Sequence, residues 1–208
     1  DVKTVSKKLL SEPKNKYKAI LLTQVDTSTS VKNDIKSLRK KLTEIECPSL
    51  LAVDCIASLA CDRFEMDAWG VDVMVAACQK GLMVPPGMGF VFFNHRAEER
   101  QRELKNVSLY WDWEPRVNPG RYYEYFCGTA PTHHIYGLRT ALDMIKSEEI
   151  EKTWKRHKIL SQAIWAAVDR WSLGSDISLN VKDPSERSHA VSCLRLGGNH
   201  GTRLRQWL

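Results

Sequence analysis

The sequence predicts an α/β fold with a mostly parallel sheet, and three observations carry that reading. Along the first two thirds of the chain, short apolar runs alternate with stretches whose apolar residues recur at helical spacing. The runs are apolar throughout instead of alternating with polar residues, as suits strands covered on both faces by helices. The 208 residues are 43% hydrophobic and 27% charged, a balance that excludes disorder, collagen and a simple coiled coil.

Residues 18–25 read as the first strand. Residues 34–45 read as a helix, because Ile35, Leu38, Leu42 and Ile45 share one face and the lysine-rich run 36–41 forms the opposite, solvated one. Residues 50–54, 71–76 and 89–93 read as further strands. Residues 110–132 are aromatic and punctuated by proline and glycine, too irregular for one element, so they form a long loop of the kind that is often functional. Trp111 and Trp113 are its expected anchors, and Trp69 is assigned to the core. A helix follows Pro131 as far as Ile145 and breaks near Ser147. A second helix then carries Ile150, Trp154, Ile164, Val168 and Trp171 at the 3.6 period.

Residues 174–208 add one strand, 190–196, and a helix start beyond Gly197 and Gly198. These bury too little for a core of their own. The expectation is a large domain over residues 1–148 and the start of a smaller C-terminal α+β domain over 149–208, both incomplete. The chain reads as an internal fragment, and the lack of an initiating methionine points the same way.

Lysine and arginine number 31 against 25 aspartates and glutamates, for a net charge of +6. The excess is spread along the chain, so nucleic acid is not an expected partner. The most apolar stretches, 50–60 and 71–78, are interrupted by Asp54 and Asp72 and fall far below the roughly 20 residues of a membrane helix. No membrane partner is expected, and residues 1–12 lack the apolar centre of a signal peptide. The six cysteines show no CxxC pair and no histidine at zinc spacing, so no metal site is expected, and a reducing, cytoplasmic compartment fits best.

Chemistry concentrates in residues 50–97. Asp54 closes one apolar run, and Cys78, Gln79, Lys80 and Gly81 follow the next, ahead of Pro85, Pro86 and Gly87. In α/β sheets ligands gather at the carboxyl ends of strands, where Asp54 and Lys80 would both lie. Taken locally, Asp54 is equally a helix N-cap and Lys80 a surface lysine.

The run LAVDCIASLACDRFEMDAWGVDVMVAACQKGLMVPPGMGFVFFNHRA, residues 51–97, resembles the core of the class V, fold type I pyridoxal-phosphate aminotransferases, within them the alanine-glyoxylate and serine-glyoxylate (serine-pyruvate) group. Three more stretches match in order. TQVDTSTS, residues 23–30, resembles the family turn T-H-x-E-T-S-T-G. CGTAPTHHIYGLRTALDMI, residues 127–145, resembles the family helix start T-P-x-x-x-x-Y-G-L-R-x-A-L, and Arg156 with His157 recurs in the next helix.

The resemblance implies a fold type I PLP-dependent transferase with pyridoxal 5′-phosphate as cofactor. Lys80 would attach the cofactor through a nucleophilic amine and also carry the proton removed from Cα. Asp54 would keep the pyridine nitrogen protonated, and Ile56 would pack on a ring face. Gln79 would donate to the phosphate, Thr27 to the phenolic oxygen, and Thr129 to the phosphate of the neighbouring subunit's cofactor, which implies a homodimer. The implied activity moves an amino group between alanine or serine and a 2-oxo acid, glyoxylate or pyruvate, by a ping-pong route.

This sequence departs from the family pattern at several positions. Gln24 and Asp26 replace the usual histidine and glutamate, Ser30 replaces glycine, Cys78 replaces serine, and Phe126 stands where some relatives carry tyrosine. His133 and His134 are adjacent on a helix and point apart, so they take structural or rim roles. The family's glycine-rich phosphate loop, its stacked aromatic residue and its substrate-binding arginine lie outside these 208 residues. The alternatives are a cysteine desulfurase, whose pattern puts histidine where Gln79 stands, and a catalytically incomplete fragment acting as a binding module.

Overall fold

The computed structural model describes residues 2–198 and 200–207; Asp1, Asn199 and Leu208, which the sequence reading includes in its end segments, lie outside the described residues. Four strands form one sheet in the order β1 (Ala19–Thr23), β2 (Leu50–Asp54), β3 (Val73–Ala77) and β4 (Gly89–Phe93). β1, β2 and β3 run parallel, with Thr23 beside Asp54 and Asp54 beside Val75. β4 is antiparallel to β3, Ala77 opposing Gly89. The largely parallel sheet is therefore present, with one antiparallel edge strand of the sort common in α/β folds.

Alternation along each strand sends Ile20, Leu22, Leu51, Val53 and Met74 to one face. There they meet α1 (Val2–Leu10) and α2 (Ile35–Glu44), whose Ile35, Leu38 and Leu42 are buried in the main core. α2 begins where Asp34 accepts the Ser37 N–H at 2.9 Å, satisfying a donor that the first turn leaves unpaired. The other face differs from the sequence expectation of helices on both sides. Leu21, Ala52, Val75 and Val91 share it, and Leu21 is 80% and Val91 44% exposed. Runs apolar on both sides report two coverable faces, but these residues supply the cover for one.

Asp72, 1% exposed beside the amino end of β3, fastens the opposite edge. Its carboxylate accepts from the Leu51 N–H at 2.8 Å, Asn94 Nδ2 at 3.0 Å and Arg96 Nη1 at 3.1 Å. Asn94 also caps α3 (His95–Arg102) by accepting the Ala97 N–H at 3.1 Å. Sequence periodicity misses α3 because the helix is almost wholly polar.

The aromatic loop holds two short helical turns, α4 (Glu114–Val117) and a 3-10 turn, Tyr122–Phe126. Trp113 anchors it by stacking on Phe93 at 5.0 Å. The anchor role expected for Trp111 is not realised: its ring is 71% exposed and meets Tyr110 edge-on. Trp69 is half-buried against the main core, edge to face with Phe64 at 5.3 Å.

Beyond the loop, α5 (Thr132–Glu148) and α6 (Ile150–Trp171) are separated at Glu149, whose φ of 70° breaks the helix two residues after the expected point. β5 (Ser178–Leu179) pairs with β6 (Leu194–Arg195), and α7 (His200–Trp207) follows. The expected strand 190–196 shrinks to β6. The preceding stretch instead bonds outward, with Ser188 and His189 donating to Asp62 and the Cys193 N–H to Ser30. Leu179 of this region packs with Trp165 and Val168 of α6, so the segment buries apolar surface in a small core shared with that helix.

His189 stacks on Trp165 at 5.3 Å, and its Nδ1 lies 2.8 Å from Ser161 Oγ. Burial pushes its pKa below the ordinary histidine value, with Asp62 pulling the other way; burial does the same to His157. Since the folded values lie below the unfolded value of about 6.5, the unfolded chain takes up protons first as pH falls. Stability is then complete above about 6.5 and declines through the window just below it. Urea denaturation at pH 7.5 and 5.5 should show this loss, and His189→Gln should flatten it; a variant with the wild-type pH slope would assign the loss elsewhere.

Candidate active site

Asp54 ends β2 half-buried, and its Oδ1 accepts the Ile56 N–H at 2.8 Å. That is an Asx turn opening the loop 55–62, and no helix follows, so the helix-cap reading of Asp54 is not realised. Oδ2 has no hydrogen-bond partner among the described residues. Ile56 is half-buried just beyond it.

Past Val75, Asp54's register partner, β3 runs two residues further and then turns through Cys78, Gln79 and Lys80. Asp54 and Lys80 thus lie at the same carboxyl edge of the sheet. Cys78 closes the turn: its buried thiol donates to Pro85 O at 3.0 Å and accepts the Met88 N–H at 3.3 Å. Gly81 brings the lysine loop against the loop that leaves Asp54. A Cβ on Gly81 would stand 2.1 Å from Leu59 O and 2.9 Å from Cys61 Sγ, far inside contact distance. Gln79 and Lys80 are exposed; the Lys80 carbonyl accepts the Met83 N–H at 2.9 Å, while neither side chain makes a hydrogen bond or ion pair with any described residue.

His134 on α5 covers the next turn. Its Nε2 lies 3.1 Å from Pro86 O, and a Cβ on Gly87 would come within 2.3 Å of that nitrogen, in keeping with the rim role read from the sequence. Thr129 precedes α5 on an exposed segment, its hydroxyl unengaged, and no hydrogen bond ties it to the other five candidates.

Thr27 sits at the tip of a turn closed by an antiparallel bridge between Val25 and Lys32. Asp26 braces the turn, accepting from Thr29 Oγ1 at 2.6 Å and the Ser28 N–H at 3.0 Å. The Thr29 hydroxyl, and then the Ser28 amide, hold its carboxyl below the usual range. The Thr27 hydroxyl is exposed and unengaged. Ser30, with φ of 61°, occupies the left-handed region that explains a glycine at this position in the family pattern. Gln24, 2% exposed, joins the end of β1 to the loop after β2. Its Nε2 donates to Arg63 O at 2.9 Å and its Oε1 accepts from Ser58 Oγ at 2.6 Å.

Sequence reasoning missed Ser58, Asp62, Asn180 and Ser188, and gave Gln24 no bonding role. Their partners lie 34 to 151 residues away, so no local motif announces them. A cavity of about 1130 Å³ opens between α1, α2 and α6 and is lined by residues that include Lys32, Asp62, Trp154 and His189. None of the six candidates lines it, so its size does not make it the catalytic centre.

This arrangement, three parallel strands, an antiparallel fourth and an acid and a lysine beyond their carboxyl ends, is that of the fold type I PLP-dependent transferases. The crystal structure of alanine–glyoxylate aminotransferase from Nostoc sp. superposes with a TM-score of 0.86 at 24% identity, covering 100% of this chain and 54% of that one. Residues 3–208 match the family model Aminotransferase class-V, and the chain belongs to that family. It is 34% identical over 173 residues to serine–glyoxylate aminotransferase of Arabidopsis thaliana, covering 83% of this chain and 43% of that protein. It is 32% identical to the serine–glyoxylate aminotransferase of Methylorubrum extorquens, covering 91% and 47%. The chain therefore spans less than half the length of these curated relatives.

The family implies pyridoxal phosphate, and the side chains present fit it. Around the site the buried polar groups Gln24, Ser58 and Asp62 are bonded to one another or to nearby protein groups. Lys80, Gln79, Thr27 and Thr129 are not, and Asp54 keeps one oxygen free. An uncommitted amine, carboxylate oxygen, amide and two hydroxyls, with Ile56 as the apolar member, form the donor set that an aldehyde, a pyridine nitrogen, a phenolic oxygen and a phosphate require.

If the two loops depend on their close approach, Gly81→Ala must force Leu59 away. It should lower unfolding free energy by about 1–3 kcal/mol, measured by urea denaturation. Gly120→Ala, where the nearest atom is 3.5 Å from the added carbon, should stay within about 0.5 kcal/mol. Equal effects would refute the contact.

Proposed function

We propose that the protein to which this chain belongs is a pyridoxal-phosphate-dependent aminotransferase that moves an amino group between alanine or serine and glyoxylate or pyruvate by a ping-pong route. The observation that carries this is the pairing of Asp54 and Lys80 at one carboxyl edge, on loops that touch at Gly81. Membership of class V and the names of the 34% and 32% identical relatives support the substrate class.

Pyridoxal phosphate, when bound, supplies an electron-withdrawing ring that makes the Cα proton of an amino acid acidic. The Lys80 Nζ, held in no ion pair, would hold the cofactor through its aldehyde carbon and, once freed by the substrate amine, would move the proton from Cα to that carbon. Asp54, through its free oxygen, would keep a proton on the pyridine nitrogen. Ile56 would pack on the ring, Gln79 and Thr27 would donate to the phosphate and the phenolic oxygen, and Thr129 would serve the phosphate in the partner subunit of a homodimer. Exposed Trp111, Tyr122, Tyr123 and Tyr125 give that dimer an apolar surface to cover. Residues 1–148 belong to the large domain and 149–208 begin the small one. Six free cysteines suit the reducing cytoplasm.

Burial pushes the Cys55 thiol up to about 12 and the Cys61 thiol up to about 11, which removes these two as nucleophiles, and a cysteine desulfurase would carry histidine where Gln79 stands. With Gln79 ahead of the lysine, the aminotransferase reading is the better one.

The purified full-length protein should absorb in the visible, and borohydride should fix the cofactor to Lys80. Lys80→Ala should lose the band and keep the fold; a trappable adduct in that variant would move the role to another lysine. Asp54→Asn should slow single-turnover Cα proton release from alanine or serine by about 100-fold or more while cofactor affinity falls only about tenfold. A wild-type rate in Asp54→Asn would remove Asp54 from the chemistry.

A further inference from the structure

We propose that Asp62 is a positioning residue for the cofactor site: its buried carboxylate fixes the turn bearing Thr27 relative to the segment that follows Asp54. The proposal rests on the aminotransferase reading, which gives Thr27 its partner, the phenolic oxygen of the cofactor.

Asp62 is 2% exposed and closes the loop that Asp54 opens, its N–H donating to Ser58 O at 2.9 Å. A carboxylate so deeply buried is stable only when donors surround it, and all of its donors come from outside its own loop. Ser188 Oγ donates at 2.6 Å, the His189 N–H reaches both oxygens at 3.1 Å, and Lys32 Nζ stands 3.8 Å away. One charge therefore gathers three segments: the end of the Thr27 turn, the loop from Asp54, and residues 188–189.

Those last residues hold the turn in their own right. Lys32 N–H donates to Glu186 O at 2.7 Å, Val31 pairs with Arg187 in an antiparallel bridge, and Ser188 N–H donates to Ser30 O at 3.3 Å. Asn180 Nδ2 donates to Thr29 O at 2.9 Å from 151 residues away. Thr27 itself, exposed and unengaged, has no anchor of its own. The place of its hydroxyl is inherited from Asp26–Lys32, and through residues 186–189 from Asp62. Replacing Asp62 by Asn removes the charge and puts an NH2 donor where one of the two acceptor oxygens stood, leaving one neutral oxygen for the Ser188, His189 and Lys32 donors, so the clamp loosens and the Thr27 hydroxyl moves.

A donor on the phenolic oxygen stabilises the deprotonated form of the bound chromophore, so displacing Thr27 raises the pH at which the cofactor's visible absorbance titrates. The test uses the full-length protein, with and without cofactor, as wild type, Asp62→Asn, Ser188→Ala and Asp72→Asn. The last is a stability control, since Asp72 is an equally buried carboxylate beside the amino end of β3. In the cofactor-free protein, Asp62→Asn should speed amide hydrogen exchange across residues 26–32 by tenfold or more, as estimated from the loss of a charged hydrogen bond of roughly 1.5–3 kcal/mol. In the loaded protein it should raise the absorbance midpoint by about one pH unit. Ser188→Ala should move both in the same direction by less, and decides the matter alone if Asp62→Asn does not fold. Asp72→Asn should lower stability and move neither.

Faster exchange with an unmoved midpoint makes Asp62 structural only and overturns the proposal. So does a midpoint that shifts equally in Asp72→Asn. A wild-type protein with no visible absorbance overturns the aminotransferase reading and this proposal with it, whereas normal wild-type absorbance with an unmoved variant midpoint overturns this proposal alone.

Discussion

Two loops leave the carboxyl edge of the parallel strands and meet where Gly81 has no side chain, and the candidate site depends on that contact. The register of β2 and β3 puts Asp54 and Val75 side by side, but register alone leaves a lysine five residues further on free to go anywhere. The approach of Gly81 to Leu59 O removes that freedom. Cys78, bonded through its thiol to both ends of the Pro85–Met88 turn, holds the lysine loop from the other side. Lys80 is therefore presented by a loop fixed at both ends, while its own side chain stays uncommitted. A lysine that is to attach a ligand needs that combination, because an amine committed to an ion pair is not free to reach it.

The same division runs through the rest of the site. Gln24, Ser58, Asp62 and Ser188 are buried and bonded, and they join the ends of β1 and β2 to the C-terminal segment. Of the residues assigned to the cofactor, Thr27, Gln79, Lys80 and Thr129 are exposed with unbonded side chains, and half-buried Asp54 keeps one oxygen free. A buried polar group without a partner costs about 1–3 kcal/mol, so the scaffold must satisfy its own before it can leave others free for a ligand. Gln24 shows how a departure from the family pattern is absorbed: its amide serves as donor and acceptor at once, linking two points of the 55–63 loop.

What was legible in the sequence follows from the range of the interactions involved. β2 and β4 have the boundaries read from their apolar runs, and α2 lies within one residue of its expected ends, because burial and the Asp34 cap act within a few residues. Asp54, Lys80 and the Thr27 turn were legible as motifs for the same reason. α3 escaped because its sole start signal, Asn94, precedes a helix with no apolar stripe. The strand expected over 190–196 shrank because Ser188, His189 and Cys193 bond to residues 62 and 30, partners more than a hundred positions away. Strand propensity loses to tertiary bonds of that kind. The apolar face carrying Leu21 and Val91 was expected under helices and is exposed among the described residues, because an apolar run says nothing of where its cover comes from.

Ser30 brings the local and the distant constraints onto one residue. Its left-handed φ of 61° costs a side-chain-bearing residue about 1–2 kcal/mol, which explains glycine in the family pattern. Serine offers something glycine lacks, a hydroxyl oxygen that accepts the Cys193 N–H at 3.2 Å, and a hydrogen bond of this kind contributes about 1 kcal/mol. The two effects nearly offset, so stability alone does not select between the residues. Mechanical linkage does: with serine, the turn carrying Thr27 is bonded by a side chain to the segment that leads into β6, and with glycine it is bonded only through the backbone. The departure from the pattern therefore adds a side-chain bond between the C-terminal segment and the turn carrying Thr27, beside the bond that Ser188 makes to Asp62.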